Sequence, residues 1–277
     1  MEKYRCGFIG AGNMATSLIG GLIADDFPPQ NITVTDLDPK KCRDLNAALG
    51  VNLASTNRSL VEACDVVVLA VKPQQVRSVA LEIADLVQRA RPLIVSIAAG
   101  IREQSLEGWL GGNVAIVRCM PNTPSLVQAG ATGLHANSHV STRQRDLAES
   151  LLRAVGVAVW VESEALLDAV TAVSGSGPAY FFLLMEAMET AALELGLPPD
   201  TARLLVEQTA FGAAKLALEA DVGPGELRRR VTSPGGTTER AIETFTQGNF
   251  EQLVLQALQA AYERSKQLSA HSGENDR

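Results

Sequence analysis

Two short stretches hold residues whose types and spacing could do chemistry. In "GAGNMA", Gly10, Ala11, Gly12, Asn13, Met14 and Ala15 directly follow an apolar run and open a helical pattern. This is G-x-G-x-x-A. The first Gly allows a tight turn, the second lets backbone approach a pyrophosphate, and the small last residue lets the helix pack on its strand. The N–H groups at such a helix start are free to bind an anion. The second stretch, "VTSPGGTTERAIETF" (Val231–Phe245), gathers Ser233, Gly235, Gly236, Thr237 and Thr238 at the mouth of another apolar-periodic segment. A Pro-Gly turn and a Thr cap account for part of that composition, but not for all five residues together.

Other candidates surround the first stretch. Asp36 lies 24 residues after Gly12, at the end of the second apolar run. An acid there accepts hydrogen bonds from an adenosine ribose and disfavours a 2′-phosphate, or it merely caps the turn. Leu37, not arginine, comes next, which leans toward NADH; Lys40, Lys41 and Arg58 are near enough in sequence to keep NADPH open. "AVKPQQV" (Ala70–Val76), "SIAAGI" (Ser96–Ile101) and "RCMPNTP" (Arg118–Pro124) each follow a strand pattern. Loops at successive strand ends would line one crevice. Lys72 reads equally as a phosphate or substrate contact and as a solvated lysine.

The second half is poor in histidine and lysine, the groups that commonly move an alcohol proton. Lys215 is its only lysine before Lys266, it has no histidine before His271, and Tyr180 is the one aromatic hydroxyl near the Gly-rich turn "SGSGPAY". Reducing a carbonyl needs a positioned acid. A C=N bond can take up its proton in water beforehand, so hydride transfer to it needs positioning above all. The composition fits imine reduction better than carbonyl reduction.

These residues need a frame to position them. Apolar runs predict strands over Cys6–Ile9, Ile32–Thr35, Val66–Val71, Leu93–Ile97 and Val114–Arg118, with two more around Ala131–Leu134 and Val157–Val161. Helical patterns fall near Asn13–Ala24, Pro39–Ala48, Gln74–Arg89 and Thr142–Val155. Strands as apolar as "VVVLAV" suit a parallel sheet buried on both faces, and the alternation gives an α/β Rossmann-type doubly wound sheet. After Glu162 strands vanish, which divides the chain into a dinucleotide-binding domain over 1–162 and an all-α dimerisation and substrate domain over 163–277. Pro178 opens a helix that Gly196 closes and that is apolar around most of its circumference; Asp200 caps the next; a last helix runs from Phe250 to about Leu268 before a frayed polar tail, "SAHSGENDR". So much apolar helix surface predicts an intertwined dimer.

Bulk numbers narrow the classes. The chain has 277 residues, 46% of them hydrophobic and 20% charged, with a net charge of −7 and no long basic block. Bulk electrostatic binding to nucleic acid or an anionic membrane is excluded on that basis. Four scattered cysteines without a CxxC pair and three histidines indicate neither a disulfide framework nor a metal site, and a reduced, cytoplasmic setting is expected. The nineteen uncharged residues Cys6–Ala24 contain five glycines and Asn13, and read as strand, turn and buried helix rather than a membrane span.

"AVSGSGPAYFF" (Ala172–Phe182) and "LRRRVTSPGGTTERAIETF" (Leu227–Phe245), with "FIGAGNM", "AVKP", "SIAAGI" and "RCMPNTP" in order, resemble the pyrroline-5-carboxylate reductase family over roughly Cys6 to Leu268. The resemblance implies reduction of Δ1-pyrroline-5-carboxylate to L-proline by NADPH or NADH, the last step of proline biosynthesis. It also implies a homodimer with active sites near its interface, and allows dimers to assemble into a larger ring. The family's cofactor contacts fall on Gly10–Met14, Asn57, the loop Ala70, Val71, Lys72 and Pro73, and the loop Ala98, Ala99 and Gly100. Its substrate loop falls on Ser233, Gly235, Gly236, Thr237 and Thr238. Two positions depart from it: Asp36, where many members carry a residue more tolerant of a 2′-phosphate, and Arg230, where some have a smaller polar one. With Arg228 and Arg229, Arg230 forms a basic run that reads first as a solvated helix end and second as an attractor of anions.

Such a substrate is a small ring whose carboxylate is its main handle. A helix N-terminus alone is worth about 0.3–1 kcal/mol to an exposed anion, whereas charge-assisted hydrogen bonds give about 1.5–3 kcal/mol each. The expectation is that the loop grips the carboxylate with bare amides and hydroxyls, and that Thr238 also places or polarises the ring nitrogen. Ser174, Ser176 and Tyr180 in "SGSGPAY" either floor the nicotinamide pocket or serve structure alone. A 3-hydroxy-acid dehydrogenase would want a lysine in "GPAYFFLLMEAM", which has none; the substrate-like loop argues against a non-catalytic dinucleotide sensor.

Overall fold

The computed structural model describes residues 4–274, with side chains through residue 270. The first part alternates β1 (Cys6–Ile9), α1 (Asn13–Ala24), β2 (Ile32–Thr35), α2 (Pro39–Leu49), β3 (Asn52–Leu53), α3 (Asn57–Ala63), β4 (Val66–Leu69), α4 (Pro73–Ala90), β5 (Leu93–Ser96), α5 (Glu103–Trp109), β6 (Ile116–Met120), β7 (Gly130–Ala136), α6 (Thr142–Arg153) and β8 (Gly156–Trp160). The sheet order is β3-β2-β1-β4-β5-β6-β7-β8, parallel except for β7 against β6. Its first six positions follow the doubly wound order, which reverses between β1 and β4 and opens a crevice at their carboxyl ends.

Two apolar layers hold the sheet. Phe8, Val34, Val68 and Val95 face Leu18 and Leu22 of α1 and Leu151 of α6. Ile9, Val67, Leu69 and Ile94 face Val76 and Ile83 of α4. All four residues of β4 are buried because each face is covered; each such side chain contributes about 1.5–3 kcal/mol. Local chemistry sets the ends. Asp38 caps α2 by accepting from the Lys40 N–H at 2.9 Å, and Thr56 with Ser59 and Ser141 with Gln144 form capping boxes on α3 and α6. Strand β3 and the short helices α3 and α5 have too few residues to show a period, and they escape the sequence reading.

Beyond β8 come α7 (Leu166–Val170), a π-helical turn (Thr171–Gly175), α8 (Gly177–Glu194), α9 (Pro199–Glu219), α10 (Pro224–Arg230), α11 (Thr237–Gln247) and α12 (Phe250–Glu274). Two compact units result. One is the sheet unit up to Ser176 together with the chain from Ala261, and the other is the helical unit Gly177–Ala260. Two expectations need correction. Pro198, not Asp200, is the N-cap of α9; Asp200 lies in its first turn, where its charge complements the helix dipole. Helix α12 runs past Leu268 to Glu274 because Ser265 and Ser269 are buried against the sheet unit; residues 275–277 of the tail and the His271 side chain lie outside the described residues.

The helical unit has little interior of its own. Among its described residues only Gly177, Ala202 and Val206 are buried, while Phe181, Phe182, Leu183, Leu204 and Phe211 are each more than 60% exposed. Helices apolar on so much of their surface require another surface to cover them. Among the described residues no helix is long and apolar enough to cross a membrane, and no group of side chains could hold a metal ion.

Candidate active site

A cavity of about 520 Å³ lies at the β1/β4 crevice, lined by Gly10, Gly12, Asp36, Asn57, Ala70, Val71 and Lys72 among others. The turn after β1 is fixed from β2 and β4 on either side: Gly10 N–H donates to Thr35 O and Ala70 N–H to Ile9 O, both at 2.8 Å. Gly10 has φ +106°, and a Cβ there would lie 2.6 Å from Ala70 O. Sterics thus demand glycine. Gly12 differs: with φ −82° it is the N-cap of α1, no side chain caps it, and a Cβ there would meet no protein atom within 4 Å. Nothing in the protein requires glycine at this position; what a Cβ would fill is the cavity itself. That fits a pyrophosphate brought against the backbone. Ala15 is buried where α1 rests on the sheet.

Asp36 is held from two sides. Its Oδ2 accepts the Ala11 N–H and its Oδ1 the Asp38 N–H, both at 2.8 Å, and Lys41 Nζ stands 3.8 Å from Oδ1. The three basic neighbours take different directions. Lys40 pairs with Asp44, Arg58 binds Asp85 through two bonds of 2.6 and 2.8 Å, and only Lys41 lines the cavity. The reading missed Gln75, Ser78 and Glu82, which form the far wall. Their i, i+3, i+7 spacing on α4 marks one helix face and was the available signal. Asn57 donates to Glu82 Oε2 at 2.8 Å. Lys72, the N-cap of α4, lines the cavity and has no ion pair among the described residues.

Ala98, Ala99 and Gly100 follow β5 and do not line this cavity. A Cβ on Gly100 would come 3.6 Å from Leu268 of α12, so the end of the last helix rests on this loop. A buried carboxylate fastens the arrangement: Asp168 accepts from Arg102 at 2.8 Å, from Ser265 at 2.7 Å and from Ser269 at 3.5 Å. Nearby, Arg118 pairs with Glu164, and His135 meets Glu103 at 2.6 Å; burial pushes the Glu103 carboxyl above its usual range. Asn122 donates to Ser174 O, and the Ser174 hydroxyl bonds Val170 O, both at 3.0 Å. Arg118, Asn122 and Ser174 therefore have structural bonds of their own.

In the helical unit, Ser233–Gly236 forms the turn into α11. Gly235 has φ +72°, and its N–H donates to Glu239 Oε2 at 2.7 Å. Gly236 is the N-cap of α11, and no side chain caps the helix. Thr237 and Thr238 are its first two residues, not caps. Their N–H groups and hydroxyls, with the Ser233 hydroxyl, have no intrachain partner among the described residues. Helices α2, α3 and α6 carry side-chain caps; α1 and α11 begin at glycines and carry none, as is also so for α4, α5, α7, α9 and α10. In the basic run, Arg229 and Arg230 both bind Glu226, as expected of a solvated helix end.

Fold and cavity define a Rossmann-type dinucleotide-binding chain with an appended helical unit. The family model for "NADP oxidoreductase coenzyme F420-dependent" matches residues 5–100, and that for "Pyrroline-5-carboxylate reductase dimerisation" matches residues 164–268. The chain is 52% identical to pyrroline-5-carboxylate reductase of Pseudomonas aeruginosa, covering 99% of this chain and 100% of that one. Identity to the Pisum sativum enzyme is 37%, over 97% of each. The pyrroline-5-carboxylate reductase structure from Coxiella burnetii superposes with TM-score 0.94 at 48% identity, covering 97% of this chain and 99% of that one. The NADP-bound Plasmodium falciparum pyrroline carboxylate reductase gives 0.86 at 30%, with the same coverage. The chain belongs to the pyrroline-5-carboxylate reductase family. It carries that family's dimerisation domain, which supplies a homo-oligomeric partner for the exposed apolar helices.

Proposed function

We propose that this protein reduces Δ1-pyrroline-5-carboxylate to L-proline with NADH or NADPH, acting on a C=N bond. The observation that carries the reading is the bare mouth of α11: amide and hydroxyl donors of Thr237 and Thr238, beside Gly235 and Gly236, with no structural employment. Two or three charge-assisted bonds from such donors are worth about 3–9 kcal/mol, enough to hold a small carboxylate.

The fit to a dinucleotide rests on Gly12 and on the uncapped α1, whose first N–H groups would take the pyrophosphate. Gly10, Ala11, Asn13 and Met14 shape that turn; Asp36 and Asn57 take the adenosine end; Ala70, Val71, Lys72 and Pro73, with Ala98, Ala99 and Gly100, take the nicotinamide end. When bound, the reduced nicotinamide supplies the hydride. The chain's own residues bind and orient: Gly235 and Gly236 shape the turn, their amides donating to Glu239 and Ser233 O, while the Ser233 hydroxyl and Thr237 fix the carboxylate and Thr238 directs the ring nitrogen. No residue need deliver a proton to a ring nitrogen already protonated in water, which agrees with a helical unit that holds one lysine, Lys215, and no histidine.

We place the active oligomer as a homodimer built through the helical unit, with a ring of dimers as its further assembly. The four cysteines are buried and unpaired, which agrees with a reducing cytoplasmic setting. The assay is oxidation of NADH or NADPH dependent on the pyrroline carboxylate, with proline-dependent reduction of NAD+ or NADP+ at alkaline pH as its reverse. Thr238→Ala should raise KM for the pyrroline carboxylate by about tenfold, one lost charge-assisted bond, while dinucleotide affinity stays at the parent value. Wild-type kinetics in that variant removes Thr238 from the site.

A further inference from the structure

The far wall of the cavity carries charges that the dinucleotide reading alone leaves without a role. Asp36, Asp38 and Glu82 line it, against Lys41 on the same side and Lys72 at the mouth of α4. Asp36 cannot swing away, because the backbone N–H groups of Ala11 and Asp38 hold its two oxygens. Glu82 lines the same cavity and accepts from the Asn57 side chain at 2.8 Å. Three cations that follow Asp36 in sequence each pair with a carboxylate: Arg58 with Asp85, Lys40 with Asp44, and Lys41 with Asp36 itself.

We infer that this chain selects NADH over NADPH, and that Glu82 acts with Asp36 as a specificity-determining carboxylate. The inference rests on the dinucleotide reading of the cavity and deepens it. A ribose with free 2′- and 3′-hydroxyls donates hydrogen bonds to carboxylates. A 2′-phosphate adds charge of about −1.5 to −2 facing the same groups, and of the two lysines that line the cavity, Lys41 is already paired with Asp36 while Lys72 stands at the start of α4. Because Glu82 is exposed, its part of the discrimination falls as salt screens it.

The test is titration of the intact oligomer with NADH and with NADPH, following nicotinamide fluorescence at low and high ionic strength, for the parent protein, Glu82→Gln and Asp36→Ser. The parent should bind NADH at least about tenfold more tightly, and Glu82→Gln should narrow the ratio by about threefold to fivefold, as expected for one like charge in a partly solvated cavity. Asp36→Ser should narrow it further. It also takes an acceptor from the Ala11 N–H, so a general loss of affinity there is read against Glu82→Gln, which leaves the turn intact. The ratio should shrink with salt in the parent and less so in Glu82→Gln. Equal or tighter binding of NADPH by the parent overturns the inference. A ratio unmoved by Glu82→Gln overturns the role of Glu82. Binding of neither dinucleotide overturns the reading of the cavity, and this inference with it.

Discussion

Gly10 and Gly12 sit two residues apart, yet they should fail in opposite ways when each is replaced by alanine. At Gly10 the new Cβ lies 2.6 Å from Ala70 O and 2.7 Å from Ala70 C, at φ +106°. The positive φ costs about 1–2 kcal/mol and the overlap about 1–3 kcal/mol. Gly10→Ala should therefore unfold at visibly lower denaturant, against a typical total of about 5–15 kcal/mol. At Gly12 the Cβ meets nothing and φ is −82°; trading glycine for alanine at an N-cap costs about 1 kcal/mol or less. On the proposed dinucleotide reading, that same methyl stands where the pyrophosphate approaches. Loss of a single charge-assisted amide bond, about 1.5–3 kcal/mol, weakens dinucleotide binding by roughly 10- to 150-fold. The ligand effect thus exceeds the folding effect at Gly12, and the folding effect dominates at Gly10. Urea unfolding and fluorescence titration with NADH, run on both variants, separate the two. A Gly12→Ala protein that binds NADH as tightly as the parent refutes the reasoning, as does a Gly10→Ala protein of parental stability.

Asp168→Ala strips Arg102 and two serines of their acceptor; breaking a buried pair costs about 3–5 kcal/mol, which the partial exposure of Arg102 reduces to about 2–3 kcal/mol. Urea unfolding should show that loss, and a change within about 0.5 kcal/mol, the range of ordinary surface substitutions, removes Asp168 as a clasp. Asp85 gives a pH signature: its hydrogen bonds to Arg58 hold its carboxyl at about 2, below the ordinary 3.8. Because the folded value is the lower one, the contribution is present above about pH 4 and fades as pH falls toward 2. The midpoint of Asp85→Asn should vary less with pH in that window than the parent's, and parallel curves count against the pair. Sedimentation on dilution should show no folded monomer, since the exposed apolar helices need a partner; a folded monomer at every concentration contradicts this.

Much of the fold can be read in the chain. "GFIGAGNMA" announces a strand, a turn and a helix through residue types alone, because an apolar run passes through closely spaced glycines directly into a helical pattern. The continuous apolar runs at Val66 and Leu93 reveal a sheet covered on both faces. Seven-residue α3 and α5 and two-residue β3 are not legible, since a period needs length. Nor is the end of α12: its extension depends on Ser265 and Ser269 meeting Asp168, roughly a hundred residues away in sequence.

The site divides along the same line. By itself the sequence determined where donors could be bared, after Gly12 and at Thr237 and Thr238, because backbone exposure at a helix start is a property of neighbouring residues. Only tertiary structure decided how those donors and the charges around them are used. It paired Arg58 and Lys40 outside the cavity lining, brought Glu82 into the same lining as Asp36, and left Thr237 and Thr238 inside the helix instead of capping it. The physical reason is range: a turn is satisfied within a few residues, whereas a charged side chain takes whichever partner the packing of distant elements brings within reach.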